Sequence, residues 1–354
     1  MKKLITFLVL FVACVGFSTY SLLDTFVIIK INRRIDVNSN ISFSFAGSSL
    51  PSSISTSSIN PSNSSLSQSS SSTPSSTASS FEPTPSPYYE NLTPEQINAL
   101  FTTEQVYNDE RYSDPDIYID VQSLRNATNT TTYYVADIRL KSLQYFKTAL
   151  AKNTFGQNIV ERTSDICKAN NGILAINGDF YGAQEKGYVI RNGFYLRESV
   201  RAKAEDLAVF SDGTFEVFKE ADTTLRSIAD RGAWQVFSFG PGLVVNNEIM
   251  VTPDQEVDVP SMALNQRCAI GMIAPLHYIF IVSDGRTSES AGLKLYEVAQ
   301  IMKDLHCYTA YNLDGGGSAT MYFNGHLVNR PIQPNSWFPK IEQRPISDIV
   351  YIGK

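Results

Sequence analysis

The sequence predicts an α/β to α+β fold: a single domain around a mixed β-sheet with flanking helices, preceded by a transmembrane helix and a disordered stalk. Three observations lead there. The first residues, "MKKLITFLVLFVACVGFSTYSLLDTFVIIKINRR", run apolar from Leu4 to Leu23 between basic ends, long enough to cross a bilayer. From about Asp36 to Pro87 serine, threonine and proline dominate, with too few large apolar side chains to offset the entropy of ordering. Beyond that, short apolar strands alternate with hairpin signals and helical periodicity, which implies layers of sheet and helix.

These shifts divide the chain into an anchor or signal segment at 1–35, a linker at 36–87 and one domain at 88–354. A cleaved signal peptide is the competing reading of the first segment, but apolarity continues past Cys14. The arrangement expected is a single-pass protein of the cell membrane, its C-terminal domain extracellular and held off the surface by a polar tether.

Within the domain, "TPEQINALF" supplies a threonine cap at Thr93 and proline at the first helical position, so a short helix opens it. "YYVADIRL" at 133–140 alternates as a strand, and "LAVFSDGTFEVF" at 207–218 reads as a hairpin about Asp212-Gly213. "CAIGMI" and "YIFIVS" are two apolar strands joined by "APLH". "GLKLYEVAQIMKDLHC" sets Leu295, Val298, Met302 and Leu305 on one helical face. "YTAYNL" then gives a strand into a glycine run, followed by a hairpin at Asn324-Gly325.

A net charge of −6, with five of the basic residues lying before residue 35, leaves an acidic domain unsuited to nucleic acid. Cys167, Cys268 and Cys307 show no metal-ligand spacing, so neither a zinc site nor a disulfide framework is expected.

Three segments place an acid at the end of an apolar strand: "ILAINGDFY", "IFIVSDGRT" and "AYNLDGGGS". Strand ends are where such sheets carry their sites. Singly, each is ordinary Asx-Gly turn chemistry. Three consecutive glycines are harder to dismiss, because they cost unfolded-chain entropy and let backbone amides approach an anion. Asp179, Asp284 and Asp314 are therefore the acid/base candidates, expected in one cleft floored by Gly315, Gly316 and Gly317. Asn177, Asn312, Ser318 and Thr320 offer polar contacts, and Arg267 and Arg286 can bind an anion bidentately. No cofactor is predicted, although the three aspartates could hold a divalent cation such as Ca²⁺. The run is neither a P-loop, lacking its lysine, nor a nucleophile elbow.

In order, "AINGDFY", "FGPGLVVNNE", "QRCAIGM", "IVSDGR", "GLKLYEVAQIM", "YNLDGGGSATM", "VNRP" and "QRPISD" resemble the phosphodiester glycosidase family, over the region from about Cys167 to the C-terminus. The resemblance implies hydrolysis of a sugar-1-phosphodiester, of the α-N-acetylglucosamine-1-phosphate type, in a cell-surface or exopolysaccharide glycan. It implies nucleophile, base or acid roles for Asp314 with Asp179 or Asp284, and phosphate and sugar binding by Arg267, Arg286 and the 315–318 backbone. Two other readings stand beside it: a non-catalytic carbohydrate-binding module and a metal-assisted phosphodiesterase.

Overall fold

The computed structural model describes residues 11–21, 23, 28–34, 92–127, 130–253, 264–333 and 340–354. The chain divides into two units, Met1–Ser39 with Pro85–Lys354, and Asn40–Thr84. The second unit, and with it most of the expected disordered stalk, lies outside the described residues.

The first unit is mostly β-sheet with few helices. A nine-stranded sheet runs from Glu248–Ile249 through Gly242–Val245, Thr309–Leu313, Cys268–Ala274, His277–Ser283, Thr132–Leu140, Ile117–Arg125 and Arg111–Ser113 to Val106–Tyr107. A five-stranded sheet orders His326–Leu327, Met321–Phe323, Gly172–Asn177, Asp348–Gly353 and Phe146–Leu150. A second orders Phe194–Arg197, Val189–Arg191, Ala233–Phe237, Glu205–Phe210 and Phe215–Lys219. Lys30–Arg34 pairs with Thr154–Gln157 as a separate ribbon.

Among the described residues every pairing in these sheets is antiparallel, which corrects the expected mixed sheet. The reason lies around the helix Leu295–Asp304. It joins two strands that run in the same direction, His277–Ser283 and Thr309–Leu313, but Cys268–Ala274 occupies the slot between them and pairs antiparallel with both. A strand–helix–strand pattern thus forms without a parallel ladder.

The individual elements follow local chemistry. Thr93 closes a capping box on Pro94–Ala99, and Gln96 answers it. The hairpins at 212–213 and 324–325 form as their turn residues require. The run "YIFIVS" is apolar throughout because both faces are covered. Tyr278, Phe280 and Val282 enter the main core with Phe146, Leu174 and Val350, while Ile279 and Ile281 pack against Val298 and Met302 of the helix.

Residues 11–21 and 23 are helical, yet no helix among the described residues is long and apolar enough to cross a membrane. The transmembrane helix expected over Leu4–Leu23 falls partly on residues that are not described. Cys167, Cys268 and Cys307 are buried free thiols.

Candidate functional site

The glycine run carries the chain from one sheet to the other. Thr309–Leu313 ends in the nine-stranded sheet, Gly316–Ser318 makes a single 3₁₀ turn with Gly316 at φ 58°, and Met321–Phe323 continues in the five-stranded sheet beside Gly172–Asn177. Asn177 splints this crossing. Its amide donates to the Asp314 carbonyl at 2.6 Å, and its side-chain oxygen accepts from the Thr320 amide at 3.2 Å. Two of the three expected segments therefore meet end to end.

Asp314 and Ser318 line a cleft that encloses about 380 Å³, counting space open to solvent, together with Gly178, Phe180, Arg344 and Asp348. Asp314 is half-buried as a residue, but its Oδ2 is shut from solvent with no hydrogen-bond partner in the protein. Burial pushes its carboxyl up to about 6, helped by the negative charge of Asp179 and opposed by Ser318, Arg344 and the Gly315 amide. A carboxylate poised there changes charge close to neutral pH.

Asp348 opens the strand Asp348–Gly353, where its backbone packs against the end of Gly172–Asn177. Burial raises its carboxyl, Arg191 opposes the rise, and Asp179 adds to it. Gly178 is required beside it, since any Cβ there would collide with the Asp348 carboxyl.

Beneath the cleft, Asp179 has no exposure. Arg191, also fully buried, lies 2.7 Å from Asp179 Oδ1 and 2.8 Å from Asp348 Oδ2, so one guanidinium bridges two carboxylates. The Ser238 and Tyr181 amides donate to Asp179 as well, at 2.8 and 3.2 Å. Every side of Asp179 is thus engaged in holding the floor.

Asp284 is not among the cleft-lining residues. Its Oδ1 accepts from the Arg330 amide at 2.8 Å and its Oδ2 from the Tyr134 hydroxyl at 3.2 Å. Burial raises its carboxyl against those two bonds. The three aspartates accordingly do not share one cleft, which corrects that expectation: only Asp314 faces it, because Asp179 is turned inward by Arg191 and Asp284 by the 330 backbone. Among the described residues no three His, Cys, Asp or Glu side chains gather closely enough to hold a metal ion.

The expected arginines separate too. Arg267 is buried and donates through Nε to the Leu293 carbonyl at 2.8 Å, a structural position. Arg286, at φ 63°, reaches over the glycine turn, where a Cβ on Gly316 would stand 3.0 Å from its Nη2. Arg344 lies over the next residue, 2.8 Å from the Cβ position of Gly317 and 3.5 Å from Ser318 Oγ. Burial and the Arg344 charge both lower the Arg286 guanidinium, and Arg286 Nη1 is buried without a partner. Arg286 and Arg344 thus bring two like charges to the turn with one donor unmet.

The expected backbone cradle is partly spent. The Gly316 amide donates to the Gln266 carbonyl at 2.8 Å, and that of Ser318 to Gly315 at 3.2 Å. The glycines serve instead to let two guanidinia approach the turn. Asn312 turns away from the cleft, its amide donating to the Gly240 carbonyl at 2.8 Å, and Thr320 is buried.

The strand-end acids and the glycine run do not point to Arg344, Asp348 or Phe180. Arg344 and Asp348 lie in "QRPISD", where the acid begins a strand; a search for acids that end strands passes over it. Phe180, left-handed at φ 69° and 42% exposed, presents an aromatic face at the rim on a backbone that a bulky residue rarely adopts.

The sequence profile of the phosphodiester glycosidase family matches residues 170–353. The chain belongs to this family. It is 25% identical over 264 residues to the SPbeta prophage-derived uncharacterized protein YomE of Bacillus subtilis (strain 168), covering 68% of this chain and 38% of that protein. It is 39% identical over 77 residues to N-acetylglucosamine-1-phosphodiester alpha-N-acetylglucosaminidase of Mus musculus, covering 21% of this chain and 15% of that protein. The chain thus spans well under half the length of either relative. Its fold is similar to the zebrafish N-acetylglucosamine-1-phosphodiester alpha-N-acetylglucosaminidase catalytic domain auto-inhibited by pro-peptide, with a TM-score of 0.54 at 22% identity over 68% of this chain and 83% of that one. All the cleft residues from Gly178 to Asp348 fall inside the matched region.

Proposed function

We propose that this member of the phosphodiester glycosidase family hydrolyses a sugar-1-phosphodiester, breaking the bond between the anomeric carbon and the phosphate oxygen. The observation that carries the reading is the glycine turn, where Arg286 stands over Gly316 and Arg344 over Gly317, with Arg344 close enough to the raised carboxyl of Asp314 to oppose its rise. The two guanidinia bind the phosphate, and the anion relieves their mutual repulsion. A departing phosphate is already a stable anion, so the demand falls on the sugar side, where an oxocarbenium-like transition state needs a carboxylate. Asp314, ionised above pH 6, is that nucleophile or base. Asp348, whose carboxyl favours its proton, is the acid that can protonate the leaving oxygen. Phe180 offers an aromatic platform to the apolar face of the sugar. Asp179 and Arg191 position Asp348.

The sugar we propose is an α-linked N-acetylglucosamine, in keeping with the named mouse relative, within a cell-surface or exopolysaccharide glycan. The domain organisation proposed is the anchor at 1–35, the linker at 36–87 and the hydrolase at 88–354. Support for the anchor is the apolar run Leu4–Leu23 and the exposure of Phe11, Val12, Val15, Phe17 and Tyr20 on its helical part.

Turnover of a sugar-1-phosphodiester in ¹⁸O-labelled water is the test. Label in the released sugar is the expected result. Label in the phosphate would mean P–O cleavage, and sugar binding without turnover would mean a non-catalytic module; either overturns the proposal.

A further inference from the structure

The end of the N-terminal segment is paired with the domain itself. The strand Lys30–Arg34 follows the apolar run at once, and it is docked on the domain, antiparallel to Thr154–Gln157. Gly156 makes this possible: any Cβ there would collide with the Lys30 carbonyl. One residue past the partner strand, Asn158 lines the cleft, and its amide donates to the Ile28 carbonyl at 2.8 Å. The Ile28 amide in turn donates to the Leu23 carbonyl at 2.7 Å. A short chain of hydrogen bonds therefore links the end of the apolar helix to the rim of the cleft. Ile28 is five positions beyond Leu23, a reach of at most about 18 Å even if extended.

The surface around this joint is apolar. Leu23, Ile28, Ile29 and Ile31 are exposed on the N-terminal side, and Val160 and Phe180 are exposed on the cleft rim. Lys30, Arg33 and Arg34 interleave basic residues in the same stretch, the composition that suits an interface with anionic headgroups. Both ends of the Ser/Thr/Pro-rich region, residue 34 on one side and residue 92 on the other, belong to the same unit.

We infer that Lys30–Arg34 is a clamp that holds the cleft mouth at the membrane surface, so that the hydrolase acts on phosphodiesters within reach of the lipid headgroups. With Lys30–Arg34 docked on the domain, the clamp sets the distance to the bilayer. The choice of substrate rests on the hydrolase reading above; the position of the clamp does not.

The test uses the full chain in vesicles containing phosphatidylglycerol. Arg34→Cys and Thr154→Cys, which face each other in the observed register, are combined with Cys14→Ala and a protease site within the Ser/Thr/Pro-rich region. The expected result is a disulfide that keeps the domain attached to its N-terminal segment after cleavage, and that releases it on reduction. A chain that forms no such disulfide and frees its domain on cleavage overturns the clamp. In the second arm, a sugar-1-phosphodiester whose other ester is a diacylglycerol is compared with the same sugar phosphodiester of methanol. Gly156→Val, which blocks docking without touching the cleft carboxyls, should lose turnover several-fold on the vesicle-bound substrate and keep it on the soluble one. Equal loss on both, or no loss on either, removes membrane reach as the purpose of the clamp. Absence of turnover by the unaltered protein on both substrates refutes the hydrolase reading alone, and the disulfide still decides the clamp.

Discussion

Asp314 and Asp179 stand in matching places, each at the end of an apolar strand with a glycine beside it, and their surroundings divide them. Asp314 keeps one oxygen unpaired and faces a cleft with an arginine on its wall. Asp179 is met by a buried guanidinium and two backbone amides, which leaves it nothing to offer a substrate. The difference teaches that a buried carboxylate with both oxygens paired is scaffold, whereas one that keeps an oxygen unpaired is open to chemistry.

The largest effect should come from the scaffold. Arg191→Met strands two carboxylates in the core, and removing one partner of a buried pair costs about 3–5 kcal/mol. Urea midpoints should show that loss. Asp179→Asn should lower stability and turnover together. If it kept full stability and lost only turnover, the two aspartates would have equivalent roles and the comparison would fail.

Asp314→Asn should do the opposite. Loss of acid/base or nucleophile function predicts a fall in kcat on the order of 10²–10⁴, measured by sugar release, without a lower unfolding midpoint. The pH dependence sharpens this. Because the folded carboxyl titrates near 6, above its ordinary value, kcat/KM should rise as pH passes through about 6 and fall again once the raised carboxyl of Asp348 gives up its proton. The sign for stability is reversed: the folded state favours the protonated acid, so the contribution of Asp314 is fully present below its unfolded pKa and is lost as pH rises through about 6. Denaturation of the wild type and Asp314→Asn across that range should diverge in favour of the variant.

Arg344→Lys retains charge and loses the planar fork. Hydrogen bonds to charged groups contribute about 1.5–3 kcal/mol, so a rise in KM of about tenfold is expected. An unchanged KM would take the phosphate away from the glycine turn. The smallest effect is expected at the rim, where Phe180→Ala should cost about 1 kcal/mol of sugar binding, seen as a few-fold rise in KM with kcat kept.

Much of the architecture was legible beforehand. The hairpins at 212–213 and 324–325, the capped helix at Thr93 and the amphipathic helix at 295–304 each follow from residues within a few positions of one another. The sheet direction was not, because the slot between His277–Ser283 and Thr309–Leu313 is filled by a strand from earlier in the chain. The site divided in the same way. Asp314, Ser318 and Arg286 could be named from their motifs, whereas Arg344 and Asp348 reach the cleft through a strand pairing with Gly172–Asn177, more than 170 positions away.

By itself the sequence determined the family and the local elements, since turn preferences, capping and apolar periodicity act over short spans of chain. Which aspartate would line the cleft and which would be locked wholly to a buried arginine was decided only by the tertiary structure. A carboxyl takes its protonation and its role from the charges that folding places around it, and Arg191 reaches Asp179 and Asp348 through space.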